Sequence, residues 1–185
     1  FVVAADTQLN DPSGLMNPAN KNPVGYDAYS VVEQMKKELR LLRPTAVLLA
    51  GDIAFGLDYQ YEFEAIWNLW KDAGVPVFMV PGNHDAYACI EDRWFLGIHS
   101  DVHVGLDFFR RYLGPCYYSF RFGGIHFQAV NSADGTPERR DGFLIITENY
   151  GGDLLPEQMD WIAADLAGAT GQVVPFMHHS PMGDY

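Results

Sequence analysis

Four short groups of residues carry the chemistry of this chain: Asp6-Thr7-Gln8, Gly51-Asp52, Gly82-Asn83-His84-Asp85 and His178-His179-Ser180-Pro181. They offer carboxylate oxygen, amide oxygen and imidazole nitrogen, a donor set that suits Mn, Fe or Zn better than a soft thiolate site would. A carboxylate can bridge two such cations. Two cations roughly 3.5–4 Å apart can clamp a phosphoryl group, activate a water and stabilise the charge of in-line displacement. The set therefore points to hydrolysis of a phosphoester. Any one of these residues alone reads as a turn former, since Gly, Asp and Asn favour turns for conformational reasons. Their occurrence together, each at the end of a predicted strand, changes the reading.

Hydrophobic patterning supplies the elements that must position them. Residues 1–5 form an apolar run, read as a strand covered on both faces that delivers Asp6 to its end. The capping box Ser30-x-x-Glu33 opens a helix with Val32, Met35, Leu39 and Leu42 at helical spacing, ended by Pro44. A second buried strand, 45–50, leads into Gly51-Asp52. Residues 59–73 carry a stripe of Phe63, Ile66, Trp67 and Trp70, closed by Gly74, and a third strand at 75–80 runs into Gly82-Asn83-His84-Asp85. This βαβαβ order predicts a parallel sheet with helices on both faces.

Residues 86–114 read as two short helical pieces, one around Trp94 and one carrying Phe108, Phe109 and Tyr112. Gly123-Gly124 between two alternating runs predicts an antiparallel hairpin, because such a turn needs positive φ at both residues. Residues 132–155 lack periodicity and read as an insert or a lid. Pro156 opens a helix with Met159, Ile162 and Leu166 on one face, and a last strand at 173–177 ends at the His-His pair. Four strands of one open sheet would thus bring Asp6, Asp52, Asn83-His84 and a histidine to its carboxyl edge, where crevices form.

With 185 residues, 48% hydrophobic and 19% charged, the chain is long and apolar enough for one cored domain and is neither disordered nor fibrous. A net charge of -12 argues against long nucleic acids as partners, whereas carboxylates around cations leave a small phosphorylated substrate compatible. Two cysteines, Cys89 and Cys116, make no disulfide framework and leave the compartment open. No apolar run approaches the ~20 residues that span a bilayer, so a soluble protein is expected.

In order and strand context, Asp6-Thr7-Gln8, Gly51-Asp52, Gly82-Asn83-His84-Asp85 and His179-Ser180-Pro181 resemble the calcineurin-like metallophosphoesterases. Gly-Asn-His-Asp is the most specific piece, and the resemblance covers nearly the whole chain. It implies the α/β sandwich of that family, with βαβαβ units and a mainly parallel sheet plus an antiparallel hairpin. It also implies two divalent metal ions. Asp6 would hold the first, Asp52 would bridge both, and Asn83 and His179 would hold the second. His84 would act as general acid toward the leaving oxygen, with Asp85 orienting its imidazole.

Two departures accompany the resemblance. Gln8 stands where most of the family carries His, and an Asp-x-Gln motif resembles one subgroup, so Gln8 is expected to lend an amide oxygen to a weaker or harder first site. The family's closing Gly-His-x-His motif does not occur in these residues. Gly97-Ile98-His99 with His103 precedes the hairpin and has the wrong order to replace it. Residues 1–185 are therefore expected to be a single, incomplete metallophosphoesterase domain. Of the His pair, only one side chain should enter the crevice by strand alternation, and the His-x-Pro spacing, which resembles that of the family's ligand, favours His179 over His178. The expected activity is that of a phosphomonoesterase. The alternatives are a phosphodiesterase acting on a cyclic nucleotide or glycerophosphodiester, and a non-catalytic binding module on the same fold.

Overall fold

The computed structural model describes residues 1–9, 28–56, 59–87, 104–133, 138–139, 147–148 and 152–181. In chain order its elements are β1 (Val2–Ala4), α1 (Ala28–Leu42), β2 (Val47–Ala50), α2 (Tyr59–Trp70), β3 (Val77–Val80), α3 (Asn83–Tyr87), α4 (Val104–Tyr112), β4 (Tyr118–Phe122), β5 (Ile125–Ala129), β6 (Glu138–Arg139), β7 (Thr147–Glu148), α5 (Pro156–Gly168) and β8 (Val173–Phe176). The helical piece expected around Trp94, and His99 and His103, lie outside the described residues. Among the described residues no helix is long and apolar enough to cross a membrane.

β1, β2 and β3 pair in parallel in that order, with Val47 opposite both Val2 and Val77. Alternation along the strands sends Val47, Leu49, Val77 and Met79 to one face and Leu48, Phe78 and Val80 to the other. Val32 and Leu39 of α1, and Phe63, Ile66, Leu69 and Trp70 of α2, bury against the first of these faces. Both crossover helices therefore share one face, which corrects the expectation of helices on both. A strand order that steps steadily one way, with crossovers of one hand, places every helix on the same side. Ser30 lies inside the first turn of α1 rather than capping it, and Leu42 and Val3 are exposed.

A second sheet covers the other face. β4 and β5 form the expected hairpin, turned through Gly123 and Gly124 at φ of 57° and 80°. β8 pairs in parallel with β5 and not with the first sheet, so the four strands expected in one open sheet are split between two. Its Phe176 and Val174 join Phe120, Phe122 and Phe127 in the apolar layer between the sheets, where Phe78 stacks on Phe120 with ring centroids 3.7 Å apart. The Tyr118 hydroxyl accepts from Met79 N and donates to Met79 O, both at 2.9 Å, so a side chain of β4 caps the outer edge of β3. Burial pushes its phenol up to about 12, against the pull of the Met79 bond.

Proline starts α5 as its sequence indicates, but the expected apolar face is not the buried one: Met159 and Leu166 are 49% and 44% exposed. Polar groups hold the helix instead. Gln158 is buried and exchanges two 2.8 Å bonds with the Asn131 backbone. Asp165 accepts from Ser119 at 2.6 Å and Gln128 at 2.9 Å and meets His126 Nε2 at 2.7 Å. Ser119, His126 and Gln128 occupy the face of the second sheet that points away from the apolar layer, so the helix binds there largely through hydrogen bonds, with the Trp161 ring packed on Tyr117 at 5.0 Å.

Candidate metal centre

Each chemical group follows a strand end. Asp6 comes just after β1, Asp52 after β2, Asn83 after β3 and His178 after β8. The loops beyond β1 and β2 stay zipped together, through Asp6 N to Gly51 O at 3.1 Å, Gln8 N to Asp52 O at 2.8 Å and Leu9 N to Ile53 O at 2.7 Å. The zipper holds Asp6, Gln8 and Asp52 in the left-handed region, at φ of 55°, 41° and 50°. Such conformations cost roughly 1–3 kcal/mol each and gather at functional sites.

Asp6, Asp52 and His178 each offer one ligand atom, and these atoms lie within 4.8 Å of one another. Asp52 is 3% exposed, and its Oδ1 accepts from the His84 amide at 3.0 Å while Oδ2 meets Gln8 Nε2 at 3.4 Å. His178 Nε2 lies 3.2 Å from Asn83 Oδ1 and 3.4 Å from Asp52 Oδ1, and its Nδ1 lies 3.0 Å from Ala50 O. A carbonyl only accepts, so Nδ1 carries a proton, and Nε2 is the atom that faces the two oxygens. That meeting of acceptors requires either a proton on Nε2 or a cation between them. The donor set, with an imidazole steadied by a backbone carbonyl, fits a divalent metal.

Glycines leave the room. A Cβ on Gly82 would collide with the Asp52 carboxylate and amide, and one on Gly51, at φ of 84°, would fall 2.6 Å from His178 Cβ. The Asp6 residue is exposed, yet its carboxyl is partly withdrawn from water; this burial raises it above 3.8, His178 and His84 pull it down, and Asp52 pushes it up. A cation would relieve that repulsion.

The structure places His178, not His179, with Asp6, Asp52 and Asn83. His179 Nδ1 lies 2.9 Å from Ser132 Oγ, which also accepts from the His179 amide at 3.0 Å. Both histidines lie in the bend beyond β8, where strand alternation no longer applies, and the placement of β8 in the second sheet brings this bend to the first sheet's carboxyl edge. Their rings stand 4.8 Å apart, edge to face.

Asp85, expected to orient His84, has its carboxylate engaged by three backbone amides. Its fully buried carboxylate accepts from Gly82 N at 2.8 Å, Ala54 N at 2.7 Å and Ile53 N at 3.1 Å. It sits in the third position of α3 and reaches back to the residue before the helix, as the second half of a capping box does. Burial and the Asp52 charge push it up to about 7, against the pull of the three amides. The ring of His84 rests instead on Phe55 O, 2.8 Å from Nδ1. Neither the Phe55 nor the Ala50 carbonyl leaves a side-chain signal in the sequence, whereas Ser132, a polar residue closing an apolar strand, does.

Comparison with known proteins gives three findings. The family model described as calcineurin-like phosphoesterase matches residues 1–185. A protein of Fibrobacter succinogenes described as a "probable cyclic nucleotide phosphodiesterase" is 28% identical over 178 residues, covering 96% of this chain and 55% of its own length. The chain thus spans about half of that relative. Among solved structures, a purple acid phosphatase from yellow lupin (Lupinus luteus) seeds shares the fold at a TM-score of 0.56 and 15% identity, over 100% of this chain and 34% of its own.

Proposed function

The chain belongs to the calcineurin-like phosphoesterase family, and from that premise we propose that it hydrolyses a phosphoester. The observation that carries this reading is the convergence of Asp6, Asp52 and His178 ligand atoms within 4.8 Å at the strand ends. Asp6, Asp52, Asn83 and His178 would hold divalent cations, with the Gln8 amide beside Asp52 as a further oxygen donor. His179, favoured by its spacing, remains the rival to His178 as the imidazole ligand. Bound there, the cations would polarise the phosphoryl group and acidify a water. Asp52 is steadied for this by the His84 amide and Gln8. His84 commits Nδ1 to Phe55 O, so Nε2 is the atom that protonates the departing oxygen. Asp85 fastens the loop after β2 to the loop after β3, which keeps Asp52 and His84 in register.

A phosphomonoester is the substrate that the motifs first suggest, and the description of the Fibrobacter relative favours a diester. Hydrolysis of p-nitrophenyl phosphate and bis(p-nitrophenyl) phosphate, with Mn, Zn or Fe added and His84→Ala as control, tests the reading and ranks the two. Metal-dependent turnover that the variant loses supports it. No metal binding and no turnover on either ester overturns it and leaves a binding module.

A further inference from the structure

We propose that Phe55 is the positioning residue of His84, and that the site is therefore built for phosphoesters of unactivated alcohols, such as sugar hydroxyls, whose oxygen must take a proton as it leaves. The inference rests on the phosphoester reading above. Phe55 touches His84 in two ways: its carbonyl oxygen lies 2.8 Å from Nδ1, and its ring packs on the imidazole with centroids 5.6 Å apart at 42°. The first contact fixes the tautomer, since a carbonyl accepts and cannot donate. The second closes off one side of the ring and so limits its rotation.

The carbonyl is a firm support because the chain around it is pinned. Phe55 N donates to Leu9 O at 2.9 Å, Gly56 N to buried Glu62 Oε2 at 2.8 Å, and Ala54 N to Asp85 at 2.7 Å. The His84 backbone is tied separately to Asp52 Oδ1 at 3.0 Å. The His84 imidazole and the Asp52 carboxylate are thus held in one frame. In the step this serves, the bond from phosphorus to the leaving oxygen breaks with its pair on that oxygen, which takes the Nε2 proton. A bond forms from phosphorus to the oxygen of water, whose proton goes to solvent, and Nε2 is reprotonated from solvent. A leaving group already stable as an anion needs none of this, so a held acid marks a site for poor leaving groups.

Two measurements test the proposal. The 15N spectrum of histidine-labelled protein should show neutral His84 protonated at Nδ1, and a neutral ring protonated at Nε2 overturns the carbonyl contact. Phe55→Ala should lower kcat on glycerophosphate at least about tenfold while changing p-nitrophenyl phosphate less than about threefold, with KM little altered. Phe55→Leu, which keeps the bulk, should recover part of the loss, and Phe55→Ala should add nothing in a His84→Ala background. Equal losses on both esters, or losses additive with His84→Ala, mean a merely structural residue and overturn the role. Wild-type protein that hydrolyses neither ester overturns the phosphoester reading and the protonation role together, while the tautomer still reports whether Phe55 holds the ring.

Discussion

His178 Nε2 lies 3.4 Å from Asp52 Oδ1, although β8 and β2 belong to different sheets. A cation held here would staple the two sheets, so binding should stabilise the fold as well as complete a site. At a free metal concentration of 100 Kd the gain is about 2.7 kcal/mol, visible as a rise in Tm. Asp52→Asn and His178→Ala should abolish the rise and His179→Ala should keep it. The reverse pattern for the two histidines would make His179 the ligand.

Gly82 tests the close approach of backbone and carboxylate. An alanine Cβ there would collide with the Asp52 side chain and amide; the side chain is held by the His84 amide, and the Asp52 carbonyl by Gln8 N. Gly82→Ala should weaken metal binding at least tenfold by calorimetry, because a clash with backbone moves the Asp52 carboxylate itself. Gly123, whose Cβ direction is open, provides the control: Gly123→Ala should lower Tm through its positive φ and leave the metal affinity unchanged.

Asp85 separates clamp from orienter. Asp85→Ala strands three buried amides, of Ile53, Ala54 and Gly82, and should destabilise the domain by about 3 kcal/mol or more in denaturant titrations. Asp85→Asn should also lower stability, since its amide group turns a donor toward donors. A variant with undiminished Tm but lost turnover would return Asp85 to the role of orienting His84.

What the sequence could reveal was local. The apolar runs of β2 and β3 and the Gly123-Gly124 turn follow from neighbours in the chain, and so the strands that carry Asp52 and Asn83 were legible. The partner of β8 was not, because pairing with β5 sets Phe176 and Val174 beside Phe127 on one face of the second sheet, a contact between segments far apart in sequence. The choice between His178 and His179 depends on that pairing. Asp85 stands next to His84 in sequence, and the turn of α3 carries its side chain back to Gly82 instead. Met159 and Leu166 misled because the sheet face beneath α5 is polar, so apolar spacing did not mark the buried side.

The Asp165 cluster predicts acid sensitivity. Burial raises this carboxyl, but hydrogen bonds from Ser119, His126 and Gln128 outweigh it and hold the group below 3.8. The folded state therefore binds the proton less tightly than the unfolded chain. Its stabilisation is present above 3.8 and is lost as pH falls through the lower folded value. Thermal melts across that window should show falling Tm in the wild type and a flatter profile in Asp165→Asn, which would also be less stable at neutral pH. An equal acid slope in the variant would place the sensitivity elsewhere.

Tyr118→Phe asks how much one hydroxyl contributes on the side of β3 away from β2, where no strand pairs with it among the described residues. Pairing with β2 uses the peptide groups of alternate residues, as Val47 N to Pro76 O at 2.9 Å indicates, so those of Met79 point outward. The Tyr118 hydroxyl satisfies both, and it reaches them from the other sheet. The variant keeps the ring among Phe78 and Phe120 but leaves a donor and an acceptor unpaired at the edge. A loss of about 1–3 kcal/mol in denaturant midpoint with unchanged m-value is the expected result. Because β3 leads directly into Gly82-Asn83-His84-Asp85, faster amide exchange at Met79 and Val80 should spread to Asn83 if the edge loosens. Exchange confined to Met79 would mean that the Asp85 clamp alone fixes the site.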